Sequence, residues 1–433
     1  MPTETLSTSD RFLISVELHT RDIPDIYASF ARLVGERAWT KQADSLRREI
    51  RGNRFLEQYL LGEFSLVLAL DRCAQLQKKY GAIPAPATLD RSLYAAMSFA
   101  SQVSSMVRHA PAERRAGLIS RVRGAMNNND DLHALLLELQ TATHFIRQGH
   151  SVTWPEIEST GRIDLLLPNL GPLGLQVECK AISADKGRKV HRRDALMFHH
   201  LLSKEISTSL RTMRVGLSVV LSVPERLPTA FAERKQLAAS VKAQIHAGAS
   251  AELPDGCTIR ITEFDPKGVL AFDEQGRPQF DRTTIDQLTS TKNREVMIRG
   301  SGNGALVFVL QSTKDDSLLQ YLFKTLKTAA DRQFDNSLPA LFVVGLNAIA
   351  TDELTEIAGQ DIDRTGPPTA LRLGVSDFLS SNNRKPVIGV AFLSRSELAN
   401  AKGHLVHGSG TVYYFPKQDS PLWNAEFKGL FPR

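Results

Sequence analysis

Apolar residues in the first quarter of the chain recur at helical spacing. DIYASFARLVGERAW, SLRREIRGNRFLEQYLLGEFSLVLALDRCAQLQKKY and LDRSLYAAMSFASQVSSMVRHA therefore predict a mostly helical region over residues 1 to about 125, with the Pro-containing GAIPAPATL as an internal connector. A further helix is predicted from about residue 131, because Leu135, Leu139, Ala142 and Ile146 fall at i, i+4, i+7 and i+11. Asp130 and Asp131 are its expected caps, and Gly149 its end. The apolar period then drops to two. HSVTW (150–154), Arg162 to Leu167 and Gly174 to Ala181 read as three successive strands, the last two joined by the turn PNLGPLG.

Acidic residues interrupt this apolar pattern at three places. At 100° per residue Glu138 lies inside the apolar arc of its helix, where a carboxylate needs a partner. Asp164 stands among Ile163, Leu165, Leu166 and Leu167, so its burial is costly unless something compensates it. In LQVECKAI, alternation places Leu175, Val177, Cys179 and Ala181 on one face and Gln176, Glu178 and Lys180 on the other. A bound cation would compensate the carboxylates. Two carboxylates from adjacent strands, completed by waters and phosphate oxygens, suit magnesium, which takes few protein ligands. Such an ion polarises a phosphate and lowers the pKa of a bound water, and a nearby lysine orients that water and offsets developing charge. Asp164 and Glu178 are thus the candidate ligands for Mg2+ or Mn2+, and Lys180 the candidate electrostatic group. Glu138 is expected to tune the site from behind the ligands or to help hold a second ion.

This constellation resembles the PD-(D/E)xK, or restriction-endonuclease-like, nuclease superfamily. The resemblance rests on Glu138 on a helix, Asp164 on the second strand, and Glu178 and Lys180 in ECK on the third, 14 residues after the aspartate. It implies an α/β fold with an αβββαβ core over about 126–265, between the N-terminal helical region (1–125) and a C-terminal α/β extension (266–433). It also implies a metal-dependent DNA endonuclease, with RNA less favoured; cutting both strands would suit a homodimer. Ile163 stands where the motif's proline would be. ExK by itself carries nothing, since Glu233–Lys235 and Glu426–Lys428 repeat it without a preceding aspartate strand. Two other readings stand beside this one: a catalytically silent nuclease fold that binds nucleic acid or a protein, and a structural or regulatory α/β protein whose motif is accidental.

Beyond ECK, the run SADKGRKVHRRDA holds Lys186, Arg188, Lys189, His191, Arg192 and Arg193, the densest basic cluster in the chain. Directly after the carboxylates it is expected to neutralise DNA phosphates, with Gly187 marking a mobile loop. The helix from about Asp194 and the strand VGLSVVLSV are expected to supply the core's second αβ step, extended by TAFAERKQLAASVKAQIHAG as a helix and CTIRITEF as a strand. EVMIRGSGNGALVFVLQS reads as two strands around a Gly-rich hairpin turn, since GSGNG lacks a Walker lysine and a following helix. SLLQYLFKTLKTAADRQF is predicted as a helix and PALFVVGLNAI as a buried strand.

Composition adds bounds rather than direction. A hydrophobic fraction of 42% and a charged fraction of 23% are those of ordinary globular proteins, and a net charge of +6 permits a polyanion partner without requiring one. No apolar run approaches the roughly 18 residues of a spanning helix, and the N-terminal residues lack the pattern of a signal peptide. Cys73, Cys179 and Cys257 form no paired spacing, so a cytoplasmic protein with reduced thiols is expected. Neighbouring His199 and His200 diverge on a helix and do not share a metal, and His404 and His407 are read as structural.

Overall fold

In a computed structural model, the chain is described over residues 18–158, 160–266, 271–272, 278–279, 287, 294–301, 304–347, 349–363, 366–394, 397–400, 405–409 and 411–431. It is a mixed α/β protein containing two five-stranded sheets, each with parallel and antiparallel pairs. Contacts group the chain into two compact units. The first takes Met1–Arg47, Leu61–Ala184 and Leu319–Arg433, and the second takes Arg48–Leu60 and Asp185–Leu318. Divisions at about 125 and 265 do not coincide with these units. Strand pairing brings distant segments together, and the second unit is spliced into the first after the ECK strand. No helix among the described residues is long and apolar enough to cross a membrane.

From residue 20 the expected helical region is present, in the first unit except for Arg48–Leu60, and there Trp39 stacks on Phe30 and Phe99 meets Phe30 edge-on. Two helices then lead to the sheet, α1 (Ala112–Ala125) and α2 (Asn129–Arg147). Asn128, rather than Asp130 or Asp131, caps α2. Its extended backbone lets its side chain accept the Asp130 N–H, so the helix starts earlier and both aspartates fall in the first turn. Gly149 follows at a φ of +89°, as an ending glycine should.

The sheet of this unit comprises β1 (Leu165–Leu167), β2 (Leu175–Ile182), β3 (Ala340–Leu346), β4 (Val387–Ser394) and β5 (Val412–Pro416). Its order is β5-β4-β3-β2-β1; β2, β3 and β4 run parallel, and the outer strands antiparallel to their neighbours. Every residue of β3 is buried, which explains its unbroken apolar sequence. Leu137, Ala142 and Phe145 of α2 pack with Val177, Leu341 and Val343 from the sheet. Gly345 permits the approach, because a Cβ there would stand 3.2 Å from Leu137. Burying each such large apolar side chain contributes about 1.5–3 kcal/mol.

The strand expected over 150–154 is reduced to one bridge, in which Thr153 and Leu166 exchange both backbone hydrogen bonds at 2.9 and 3.0 Å. Pro155 opens a short helical turn (Pro155–Glu158) immediately afterwards and stops the pairing. The helix completing this half of the fold is α3 (Leu318–Gln333), leading into β3.

The second unit has its own sheet, ordered Ala251–Glu252, Thr258–Phe264, Gly216–Val223, Gly304–Ser312 and Glu295–Ser301. Helices Arg192–Glu205 and Phe231–Ala247 cover one face, with Phe198, Leu202, Ala238 and Val241 packed among Val219, Leu221, Phe308 and Leu310. This corrects the placement of the second αβ step. The helix and strand next in sequence after ECK build this other sheet, because Gly216–Val223 pairs with Gly304–Ser312 and Thr258–Phe264. The last two strands form the expected hairpin, although turn residues 302–303 lie outside the described residues. His404 also lies outside them, and His407 falls on the strand Leu405–Ser409.

Candidate functional site

Strand β2 outruns its neighbour. β1 pairs with residues 175–177 only, and Asp164 sits just before β1 rather than within it. Its Oδ2 accepts the Cys179 N–H at 2.7 Å, substituting for a backbone acceptor where the ladder stops. Glu178 and Lys180 lie on the part of β2 that runs past β1 while its other edge stays paired with β3. Their side chains are joined, the Lys180 ammonium donating to Glu178 Oε1. Glu178 is wholly buried, and Oε2 has no hydrogen-bond partner among the described residues. A buried carboxylate oxygen in that condition carries the full cost of its lost hydration.

The electrostatics follow from burial and proximity. Burial pushes the Glu178 carboxyl up to about 8; the negative charge of Asp164 adds to the rise, and Lys180 opposes it. Burial also raises Asp164, against the lowering effects of the Cys179 N–H and of Lys180. For Lys180, burial acts to lower its pKa, but the Glu178 and Asp164 charges outweigh it and raise the ammonium above its ordinary value. Glu178 and Lys180 therefore each respond to the other and to Asp164.

Glu138 is buried on α2 as its place in the apolar arc required, and its partner is Arg121 of α1, whose Nη2 donates to Oε1 at 2.6 Å. Burial lifts Glu138 to about 7; Asp164 pushes further up, and the Arg121 guanidinium pulls down. Nothing in the spacing of AERRAGLISRVRGA ties Arg121 to the acids that follow it. Its one signal is that it flanks the buried stripe of Leu118, Val122 and Ala125. Glu156, exposed in the turn after the bridge, adds negative charge near Glu138 and Asp164.

The basic run falls in the second unit, and much of it is already paired there. Arg188 donates to Glu295 at 2.7 Å and lies 3.7 Å from Asp316; Lys189 meets Glu225 at 3.2 Å, and Arg193 is bonded to Glu49. Lys186 is half-buried, while Arg192 is exposed and its backbone N–H donates to Asp185. Gly187 is explained by close packing. Its φ is +77°, and a Cβ there would meet the Leu318 backbone at 2.7 Å. His199 is buried against Phe308 and Phe55, with both ring nitrogens unpartnered among the described residues.

The chemistry of the donor set fits a hard divalent cation. Asp164 and Glu178 offer carboxylate oxygens, one of them orphaned and buried, and a positive ion would offset the burial that raises both and the Asp164 charge that adds to the rise of Glu178. No group of three or more His, Cys, Asp or Glu able to hold a metal occurs among the described residues. No known protein family, curated protein or solved structure matches this chain.

Proposed function

We propose that this protein is a metal-dependent phosphodiesterase, a DNA endonuclease of the PD-(D/E)xK type. The observation that carries the reading is the convergence of Asp164, Glu178 and Lys180 where β2 runs past the end of β1, with Glu178 Oε2 buried and unpartnered among the described residues. Chain order lends support. Helix α2, the Thr153 bridge, β1, β2, α3 and parallel β3 follow the αβββαβ sequence once the second unit is set aside as an insertion.

Asp164 and Glu178 would hold Mg2+, which when bound polarises the phosphate and makes a coordinated water more acidic. The Cys179 N–H fixes the Asp164 carboxylate, leaving its second oxygen for binding. Lys180, kept protonated by its two acidic neighbours, would orient the attacking water and offset charge developing on the phosphate. DNA rather than RNA follows from the resemblance, and a homodimer would suit double-strand cutting.

A silent fold that binds nucleic acid or protein is the second reading, favoured by the absence of a three-ligand metal group among the described residues. Incubating purified protein with supercoiled plasmid, linear duplex, single-stranded DNA and RNA in Mg2+ or Mn2+ separates the two. Metal-dependent DNA cutting is expected. Salt-sensitive DNA binding without cutting by any preparation would favour the silent fold.

A further inference from the structure

Glu138 is the third buried acid of the site, and a second cation would naturally recruit it. In two-ion phosphodiesterases the ions lie about 3.5–4 Å apart and share neighbouring carboxylates. Here Arg121 already occupies Glu138, donating one N–H at 2.6 Å. A guanidinium has five N–H donors. The bond to Glu138 uses one of these donors, the Arg121 side chain remains 36% exposed, and its guanidinium also feels the charge of Asp164.

The planar fork of arginine matches two phosphate oxygens, whereas lysine offers only a compact charge.

We propose that Arg121 takes the place of a second metal ion. Anchored on Glu138, it binds a non-bridging oxygen of the scissile phosphate, and the site works with a single divalent cation. This rests on the nuclease reading above.

Counting Mn2+ per chain at pH 8, from the electron-paramagnetic signal of the free ion, tests it. The wild type should bind one ion, lost in Asp164→Asn. Arg121→Ala should bind two, because it frees Glu138, and Arg121→Ala combined with Glu138→Gln should return to one. Arg121→Lys keeps the charge and should bind one ion while lowering kcat on order of 10²-fold, the scale of a lost transition-state donor. Two ions in the wild type would overturn the proposal, as would one in Arg121→Ala or full activity in Arg121→Lys. Should Arg121→Ala fail to fold, the wild-type count and the Arg121→Lys rate still decide. A wild type that binds no ion and cuts nothing would instead overturn the nuclease reading on which the proposal stands.

Discussion

Replacing Glu178 with glutamine should make the metal-free protein more tolerant of alkaline pH while destroying its response to magnesium. Folding raises the Glu178 carboxyl from 4.5 to about 8, chiefly through burial. A group raised in this way contributes stability that is complete below pH 4.5 and lost as pH climbs through about 8. Since a tenfold change in acid constant is about 1.4 kcal/mol, its ionisation should cost the first unit about 3 kcal/mol at pH 7 relative to pH 4.5. Glu178→Gln keeps the shape and gives Lys180 an acceptor, but cannot ionise. Trp39, Trp154 and Trp423 all belong to the first unit, so tryptophan fluorescence during urea unfolding in EDTA reports on that unit alone. Between pH 5 and 8 the wild type should lose stability steeply, and the variant should lose less by about 3 kcal/mol; the remaining slope belongs to Glu138, raised to about 7. Magnesium at pH 8 should stabilise only the wild type. Equal slopes in the two proteins would refute the reasoning, and so would equal stabilisation by magnesium.

Burial holds the His199 imidazole down to about 3. A depressed histidine contributes stability present above its unfolded value near 6.5 and lost as pH falls from there toward 3, by about 1.4 kcal/mol per unit. His199→Leu should flatten that acid limb, measured by hydrogen exchange of the Gly304–Ser312 amides corrected for intrinsic rates. Phe145→Ala, in the core beneath β2, should cost about 3–5 kcal/mol by urea unfolding; a loss under 1 kcal/mol would contradict the packing described. Gly187→Ala forces a side chain into a left-handed backbone against Leu318 and should lower the second unit's stability by about 1–3 kcal/mol, seen as faster proteolysis between residues 185 and 318.

The site was more legible than the fold around it. Period two in LQVECKAI and the apolar arc around Glu138 follow from local geometry, and both survive in β2 and α2. Sheet membership does not follow from such patterns. VGLSVVLSV and PALFVVGL are both continuous apolar runs, and nothing in either says which one pairs with β2. The nearer run in sequence was the wrong neighbour because the second unit intervenes. Charge patterns failed for a related reason. Arg188, Lys189 and Arg193 were expected to meet DNA phosphates, and their ion-pair partners Glu295, Glu225 and Glu49 are too remote in sequence to be read from the run itself. Arg121 was hidden likewise, its meaning set by an acid one helix away.

The account is tested most directly by cleavage of end-labelled duplex DNA with Mg2+, comparing wild type with Asp164→Ala and Lys180→Ala purified identically. Wild-type protein should cut, and each substitution should lower the rate by at least about 10²-fold, the scale of a lost transition-state contact. Cleavage that persists undiminished in both variants, or none by the wild type with any metal or substrate, would contradict it.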